Sequence, residues 1–461
     1  MKWFLSLITL MCATGADAQQ MLSLDSCRAM ALRNNKQLNI ARLKQDVAKN
    51  IRKAARTKYL PHVDAIGGYA HTSRELSILN GTQKYTLGNI GSIIGILDEQ
   101  TTAMVNQIGQ KVSDAFRTDT RNIYTASVMV RQPIYMGGSI TAANRIADIA
   151  EEMAANQAEG SMQSTLYNID KAYWTVVSLR QKEKLASSFL KLVKKLDDDV
   201  AKMIKEGVAT RADGLKVSVK VNEAEMQLTQ VEDGLALSRM LLCQLCGMPS
   251  DSDITLEDEG KEELVTETAE VITDIKAATQ NRPEIRMLQN AIDISKQTTK
   301  LMRAANLPQI ALTGGYLVTN PNLYNGFERK FSGMWNIGVL VRVPVWNWFE
   351  GAYRVRASKT ATSMAVMELD EAEEKIELQI NQSMFRVKEA ARKLAMAKKN
   401  IERADENLRC ADLGFKEGVM QATDVMEAQT AWLQAQSQKI DAEIDVKLSQ
   451  TDLKKALGEL K

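Results

Sequence analysis

The sequence has little of several residue types, and each scarcity excludes a class of protein. Only two histidines, His62 and His71, occur among 461 residues, which excludes a histidine-rich metal site and leaves little material for general-base catalysis. The formal charge of +2, from 59 basic and 57 acidic residues, excludes the broad basic footprint of a nucleic-acid-binding protein. No nucleotide-binding loop or Ser-His-Asp grouping stands out, so we expect no enzyme, no cofactor, no metal ion and no nucleic-acid partner.

Long apolar runs are also absent after the N-terminus. Past residue 19 no stretch reaches the roughly 18 apolar residues of a membrane-spanning helix. The N-terminus itself has Lys2, a short apolar run from Trp3 to Met11 and then Ala16-Asp17-Ala18. This is the pattern of an export signal with its cleavage site. The sequence therefore predicts a signal peptide of residues 1–18, cleavage before Gln19, and export.

One short sequence motif occurs twice and indicates an internal duplication. Lys205-Glu206-Gly207-Val208 is followed by Asp213, and Lys416-Glu417-Gly418-Val419 by Asp424, 211 residues later (424 − 213 = 211). A constant offset is the signature of tandem structural repeats. Each copy stands between two long helical patterns, so each predicts the tip of a helical hairpin.

Each repeat also predicts one β-hairpin. Leu60-Pro61 and Leu307-Pro308 each precede a strand-like segment that ends in Gly-Gly-Tyr, at an offset of 247 (308 − 61 = 247). The 36 additional residues of the first repeat (247 − 211 = 36) fall between Tyr69 and Arg131, where the apolar spacing predicts a small amphipathic helix on an inserted loop.

These patterns define the expected organisation of the chain. The first repeat covers 19–247, with a β-hairpin at 61–135, an extracellular loop insertion at about 72–121 and a helical hairpin at 139–247. A polar connector, the equatorial region, covers 248–266. The second repeat covers 267–461, with a β-hairpin at 308–345 and a helical hairpin at 350–458.

In the predicted strand before Pro344, large apolar residues occupy every second position. Successive side chains of a strand point to opposite faces, so these residues share one face. A sheet packed on a soluble core would give this pattern, and so would a transmembrane strand of about ten residues with aromatic residues at an interface. The export signal and the nearby Trp346, Trp348 and Phe349 favour the membrane strand. Val128 and Val130 repeat the pattern in the first half. The residues expected to face lipid are Trp335, Ile337, Val339, Val341 and Val343.

Four strands, in two hairpins, cannot close a barrel by themselves. Closed barrels need about eight strands or more, and an open sheet edge is not tolerated in lipid. If the strands span a membrane, several copies of the chain must share one barrel.

Long helices are expected after each hairpin. From about 352 to 415 a large apolar residue recurs every seven positions, with a small residue three positions after it. Such a seam favours close coiled-coil packing, although a soluble coiled-coil dimer would explain this segment equally well. Comparable helical patterns cover about 22–58, 139–205, 211–246 and 422–457.

Cys243-x-x-Cys246 invites a redox interpretation. That motif belongs at a strand-to-helix turn, whereas here it lies at a predicted helix end. The duplicate positions, Lys454 and Leu457, carry no cysteine, so we interpret the pair as part of an ordinary helix end.

The second tip carries two carboxylates, Asp424 and Glu427, three residues apart on one face of the following helix. Acidic residues in a first helical turn are favoured by the helix dipole alone. In an oligomer around an axis the same carboxylates would recur as a ring, and acidic rings select cations and narrow a pore. Both explanations stay open.

With this layout the chain resembles the TolC-like outer-membrane efflux channel family. The resemblance rests on the signal peptide, the two halves, the Leu-Pro…Gly-Gly-Tyr strands, Arg-x-Pro at Arg131 and Arg342, and both Gly-Val…Asp tips. It implies a mainly α fold with a small β part, in which a homotrimer forms a 12-stranded outer-membrane β-barrel continued by a periplasmic α-helical barrel. It also implies a passive exit duct that works with a periplasmic adaptor and an inner-membrane pump, for which we expect the RND type.

The resemblance further implies roles at the tips. Asp424 and Glu427 fall where the family has an acidic ring at its periplasmic entrance, and Asp213 is the first-half counterpart. Phe415 and Met420 stand where well-known members have polar residues that hold the entrance closed, so we expect apolar packing there instead.

The adaptor is expected to dock on Gly207-Val208 and Gly418-Val419 and to gate the entrance by that contact. Other functions remain open. A soluble periplasmic coiled-coil scaffold or adaptor would explain the helices but not the strand at 335–345, and a self-sufficient porin would explain the strands but not the long helices. An exit duct of a type I protein secretion system is a further alternative.

Overall fold

The computed structural model describes residues 20–73, 79–116, 121–261, 263–264, 274–322 and 328–460, so the predicted signal peptide lies outside the described residues. The described part is mostly helical. In chain order the helices are α1 (Leu24–Asn34), α2 (Lys36–Thr57), α3 (Gly81–Gly88), α4 (Ile90–Ile94), α5 (Glu99–Ala115), α6 (Ser139–Lys205), α7 (Arg211–Cys246), α8 (Ile275–Gln280), α9 (Pro283–Ala304), α10 (Glu350–Lys416) and α11 (Ala422–Ala456). The strands are β1 (Gln20–Leu22), β2 (His62–His71), β3 (Asn122–Met136), β4 (Ile254–Leu256), β5 (Gln309–Asn320) and β6 (Ser332–Arg342).

The two longest helices, α6 and α10, have 67 residues each. They and their return helices α7 and α11 begin and end close to the positions expected from the sequence. At this length helical stability comes from packing of an apolar seam rather than from propensity. Among the described residues, no helix is long and apolar enough to cross a membrane.

The prediction of a single helix over about 22–58 is wrong, because the helical segment is divided at Asn35 into α1 and α2. The Asn35 Oδ1 accepts the backbone N–H groups of Gln37 and Leu38 at 2.9 and 3.2 Å, and its Nδ2 donates to the Leu245 carbonyl at 3.0 Å. The side chain thereby starts a second helix and fixes it to the end of α7.

The insertion between β2 and β3 contains three helices among its described residues, not the one small helix expected. Asn80 caps α3 and Asp98 caps α5, and Gly95 ends α4 with a left-handed φ of 67°. These capping residues begin and end separate helices within a segment that the apolar spacing alone predicted to be one helix.

Four strands form one antiparallel sheet in the order β2-β3-β5-β6. The two expected hairpins, β2-β3 and β5-β6, are both present and are joined through the β3-β5 pair. The edges of this sheet are β2 and β6.

The strand register places apolar side chains of all four strands on one face of the sheet, which we call the apolar face. Trp335 pairs with Tyr316, Tyr316 with Val128, and Val128 with Ala65, so these positions share a face. The other face carries polar residues that include Arg131, Asn336 and Arg342. Large side chains of the apolar face are Val63, Tyr69, Tyr124, Val128, Val130, Ile310, Leu312, Tyr316, Trp335, Ile337, Val339 and Val341.

The connector is more ordered than a polar linker. Its strand β4 pairs in parallel with β1 near the start of the chain, and Leu22, Ile254 and Leu256 are buried there. The Tyr173 hydroxyl donates to the Asp258 carboxylate at 2.6 Å. The pKa of Tyr173 is raised above its ordinary value, mainly by burial and secondly by this hydrogen bond. These contacts tie the first strand, α6 and the connector into one core.

Contacts divide the chain into two compact units, and each unit draws on both halves of the duplication. One comprises residues 1–49, 149–292 and 363–461, and contains the connector core and both helical tips. The other comprises 50–148 and 293–362, and contains the four-stranded sheet with the helices of the insertion.

Candidate functional site

The two helical tips have the same hydrogen-bond pattern. At the first tip the N–H of Gly207 donates to the Ile204 carbonyl and that of Val208 to the Met203 carbonyl, at 3.1 and 2.9 Å. At the second tip the equivalent bonds run from Gly418 and Val419, also at 3.1 and 2.9 Å. The two glycines have φ values of 78° and 74°. This is the left-handed helix end that glycine favours, so the repeated Gly-Val sequence dictates the repeated turn.

Each tip continues into a helix whose first turn is capped by an acidic residue. The Asp213 carboxylate accepts the backbone N–H of Thr210 at 3.2 Å and its hydroxyl at 2.6 Å, and these bonds lower the pKa of Asp213 below its ordinary value. The Asp424 carboxylate accepts the backbone N–H of Gln421 at 2.9 Å. Two of the three predicted entrance carboxylates, Asp213 and Asp424, therefore have a structural role in capping a helix.

The two tips lie side by side. Val208 of the first and Phe415 and Gly418 of the second line one cavity of about 560 Å³. Beneath it, α6, α7, α10 and α11 contribute to one apolar cluster, in which Val193, Val217 and Val425 are fully buried.

Phe415 and Met420 both make apolar contacts at the second tip. Phe415 is half-buried against the four-helix cluster. Met420 folds back over Gly414, where an added Cβ would come within 2.7 Å of the Met420 sulfur. The closure of the entrance by these two residues stays a prediction.

Glu427 has a different setting from Asp424. It is exposed and lines a groove of about 450 Å³ between α7 and α11. Lys216 and Lys220 line the same groove, and Lys220 Nζ contacts the Glu223 carboxylate at 3.0 Å. The local charge around Glu427 is therefore mixed rather than purely acidic.

Gln429 belongs to the site and was missed by the sequence analysis. It lines the cavity between the tips, is 3% exposed, and its Oε1 has no hydrogen-bond partner among the described residues. A buried acceptor without a donor carries a desolvation cost. The sequence gives no signal for this, because glutamine is common on exposed helix faces.

The Cys243-x-x-Cys246 pair lies at the end of α7 and is buried together with Cys27. Burial raises the pKa of Cys243, which disfavours the reactive thiolate. Among the described residues, no group of three or more His, Cys, Asp or Glu side chains is placed to hold a metal ion.

Comparison with known proteins agrees with this architecture. The profile of the outer membrane efflux protein family matches residues 28–248 and 275–459. The outer membrane protein TolC of Vibrio cholerae is 21% identical over 350 residues, covering 74% of this chain and 77% of TolC. The alkaline protease secretion protein AprF of Pseudomonas aeruginosa is 21% identical over 354 residues, covering 73% and 72%. The crystal structure of the Campylobacter jejuni CmeC outer membrane channel covers 95% of this chain and 86% of its own, with a TM-score of 0.74 at 16% identity.

The chain belongs to the outer membrane efflux protein family. This confirms the resemblance drawn from the repeated tips and strands, and with it the predicted outer-membrane location. It also gives the coarse function, an efflux or secretion channel of the outer membrane, in a family of transport channels rather than enzymes.

Proposed function

We propose that this chain is the outer-membrane component of a tripartite efflux system, a passive exit duct for substrates that an inner-membrane pump delivers through a periplasmic adaptor. The observation that carries the proposal is the apolar face of a four-stranded sheet with two open edges. Trp335 on this face is 73% exposed in one copy of the chain, and large exposed apolar surfaces mark contact with a membrane or another protein.

The open edges favour an oligomer. Unpaired N–H and C=O groups along β2 and β6 would be unsatisfied in lipid. Pairing β2 of one copy with β6 of the next satisfies both edges, and three copies would supply the twelve strands that the family resemblance implies. The long helical hairpins of the same copies would then line a tunnel through the periplasm.

The tips would form the periplasmic entrance of this duct. Three copies repeat Asp424 and Glu427 around the axis, where their charge would favour cations. Lys216 and Lys220 line the same groove as Glu427 and weaken its field. Phe415 and Met420 would close the entrance by apolar packing between copies.

The adaptor would dock on the two exposed valines of the tips. Val208 and Val419 are 71% and 80% exposed, so neither apolar side chain is covered within one copy of the chain. We expect Val208→Asp/Val419→Asp to abolish efflux while single-channel conductance is retained, because the tip would lose its apolar docking surface but the duct would stay intact. Val208→Ile/Val419→Ile is the matched control and should preserve efflux. Intact efflux in the aspartate variant would contradict docking at these tips.

Planar-bilayer recording of protein purified in detergent tests the duct itself. The wild type should give small, cation-selective conductance steps, and Asp424→Asn/Glu427→Gln should lose much of that selectivity. Protein that stays in solution without detergent and forms no channel would instead support a periplasmic coiled-coil scaffold.

Export of proteins by a type I system is the second candidate, because one relative is named as a protease secretion protein. Deletion of the gene in its natural host separates the two functions. Increased sensitivity to small toxic compounds indicates efflux of small molecules, whereas loss of a specific protein from the culture medium indicates secretion.

A further inference from the structure

Two arginines occupy duplicate positions in the strands that lead into the long helices. Arg131 lies in β3 and Arg342 is the last residue of β6, 211 residues later (342 − 131 = 211). The two hairpins have the same register here, because Arg131 pairs with His62, the first residue of β2, and Arg342 pairs with Gln309, the first residue of β5. The arginines are therefore equivalent in structure as well as in sequence, since each lies opposite the start of its own hairpin.

Both arginines lie on the face of the sheet opposite to the apolar face, which we call the polar face. Arg131 pairs with Thr313, and Thr313 pairs with Gly338. Arg342 follows Gly338 by four residues in the same strand. Because side chains alternate along a strand, an even separation keeps both arginines on one face. The proposed barrel turns its apolar face to lipid, so the polar face would line the lumen.

The two guanidinium groups are available to a ligand from outside the chain. Both side chains are exposed, and neither guanidinium makes an ion pair or a hydrogen bond with any residue that the structure describes. Thr313 and Gly338 continue the row of Arg131 across the sheet, and both are too small to cover it. A guanidinium group presents its N–H donors in a planar fork that matches carboxylate and phosphate oxygens.

The acidic residues of the polar face do not balance the arginines. Asp64 is the one acidic residue of the four strands β2, β3, β5 and β6, and it shares the polar face with His62, two residues earlier. Its duplicate position, at the offset of 247 between the two hairpins (64 + 247 = 311), is Ala311. Each copy of the chain therefore brings Arg131 and Arg342 to this face against a single carboxylate.

The duplication would arrange these charges as a ring in the proposed barrel. Because β3 and β6 are equivalent strands of equivalent hairpins, three copies would place six arginines (2 × 3 = 6) at one level. That level is the end of the barrel next to the long helices, since α6 and α10 follow β3 and β6 in the chain. Rings of basic side chains are the device by which pores attract anions and phosphate, and a narrow lumen with low-dielectric walls focuses their field.

We propose that Arg131 and Arg342 form an oxyanion-binding ring where the barrel meets the helical tunnel. The ring would hold carboxylate or phosphate groups of substrates that pass through the duct. Its charge is opposite to that of the proposed acidic entrance at the tips, so the two sites favour groups of opposite sign along one path. This inference rests on the proposed function, since the polar face lines a lumen only if copies of the chain share one barrel.

Ion selectivity tests the charge of the ring. The reversal potential of the channel in a planar bilayer with a KCl gradient gives the ratio of K⁺ to Cl⁻ permeability. Arg131→Gln/Arg342→Gln should raise this ratio about twofold or more, because the lumen loses its positive charges. Arg131→Lys/Arg342→Lys is the matched control and should keep the wild-type ratio, whereas Asp64→Asn should lower the ratio, because it removes the one carboxylate of the polar face.

Inorganic pyrophosphate tests the binding of an oxyanion. Added to the wild-type channel, it should reduce the conductance as it occupies the ring. In the glutamine variant the concentration that halves the conductance should rise about fivefold or more, because charge-assisted hydrogen bonds to phosphate oxygens are lost. The lysine variant should still be blocked, since its ammonium groups also bind phosphate.

The results separate this inference from the proposed function. No conductance in the wild type would refute the proposed function. A conducting glutamine variant with the wild-type permeability ratio and the wild-type response to pyrophosphate would refute the arginine ring alone. A changed ratio with an unchanged response to pyrophosphate would overturn oxyanion binding, and a ratio that Asp64→Asn moves in the same direction as the glutamine variant would contradict the placement of these charges in one lumen.

Discussion

Asp424→Asn removes one negative charge from the first turn of α11 while keeping the shape of the side chain. The Asp424 Oδ2 accepts the Gln421 N–H at 2.9 Å, and an asparagine oxygen can accept the same bond. The remaining loss is the interaction of the charge with the helix N-terminus, about 0.3–1 kcal/mol for an exposed site. Since 1.4 kcal/mol corresponds to a factor of ten, we expect amide exchange of the first turn to accelerate about two- to fivefold.

Hydrogen–deuterium exchange with mass spectrometry measures this effect on peptides that cover the start of α11. Glu427→Gln is the contrast, because it removes the same charge from a residue with no capping bond in the described structure, and it should leave this exchange nearly unchanged. Equal acceleration in both variants would refute the argument that the charge of Asp424 stabilises the N-terminus of α11.

Asp213→Asn is the matched cap in the first half and should accelerate exchange at the start of α7. Its effect on ion selectivity then separates the two explanations of the tip carboxylates. A change in selectivity with Asp424→Asn but not with Asp213→Asn would place the second tip at the pore, and equal changes would argue against that placement.

Three further substitutions or labelling experiments test other parts of the structure. Arg28→Met leaves the fully buried Asp170 carboxylate without the two hydrogen bonds of 2.7 and 2.6 Å that Arg28 donates. We expect the free energy of unfolding, measured by thermal unfolding in detergent, to fall by about 3–5 kcal/mol. The double variant Arg28→Met/Asp170→Leu should recover most of this loss. Gly418→Ala places a Cβ at a φ of 74° and should destabilise the second tip by about 1–2 kcal/mol, whereas Gly418→Asn should have a smaller effect on local amide exchange. Exposed Cys410 should react with a maleimide about tenfold or more faster than Cys243, whose burial raises its pKa; equal labelling of the two peptides would contradict the packing of α7.

The long hairpins could be predicted from the sequence because their signals are strong and repeated. Uninterrupted apolar spacing over many turns leaves helix as the one regular structure that fits, and Gly207 and Gly418 mark where each helix ends. The offset of 211 residues then gives each tip a second, independent example. The apolar face of the sheet was visible in part, since strict alternation around Trp335 indicates a strand with two unlike faces.

Contacts between distant or very short segments could not be predicted. The β1-β4 pair has only three residues in each strand, too few for any periodic pattern. Arg28 and Asp170 are 142 residues apart, and nothing local to either one indicates the other. The division of a helix at Asn35 likewise depends on the carbonyl of Leu245, which is remote in sequence.

At the tips the sequence could predict positions but not roles. It placed Asp213 and Asp424 in first helical turns, and the structure shows that both cap those turns. The left-handed conformation of Trp348 and Phe349, with φ values of 52° and 63°, was hidden for a different reason: their duplicate positions are glycines, and aromatic residues are not expected where a left-handed turn is required.

The most direct test of the account is whether the two edge strands of the sheet are paired in the purified protein. Residue-resolved amide exchange should be recorded in detergent for β2 and β6 and compared with the inner strands β3 and β5. If copies of the chain share one closed barrel, every backbone amide of His62–His71 and Ser332–Arg342 should exchange as slowly as those of the inner strands. Rapid exchange at alternate residues of both edge strands would show open edges, and would contradict the shared barrel on which the proposed duct depends.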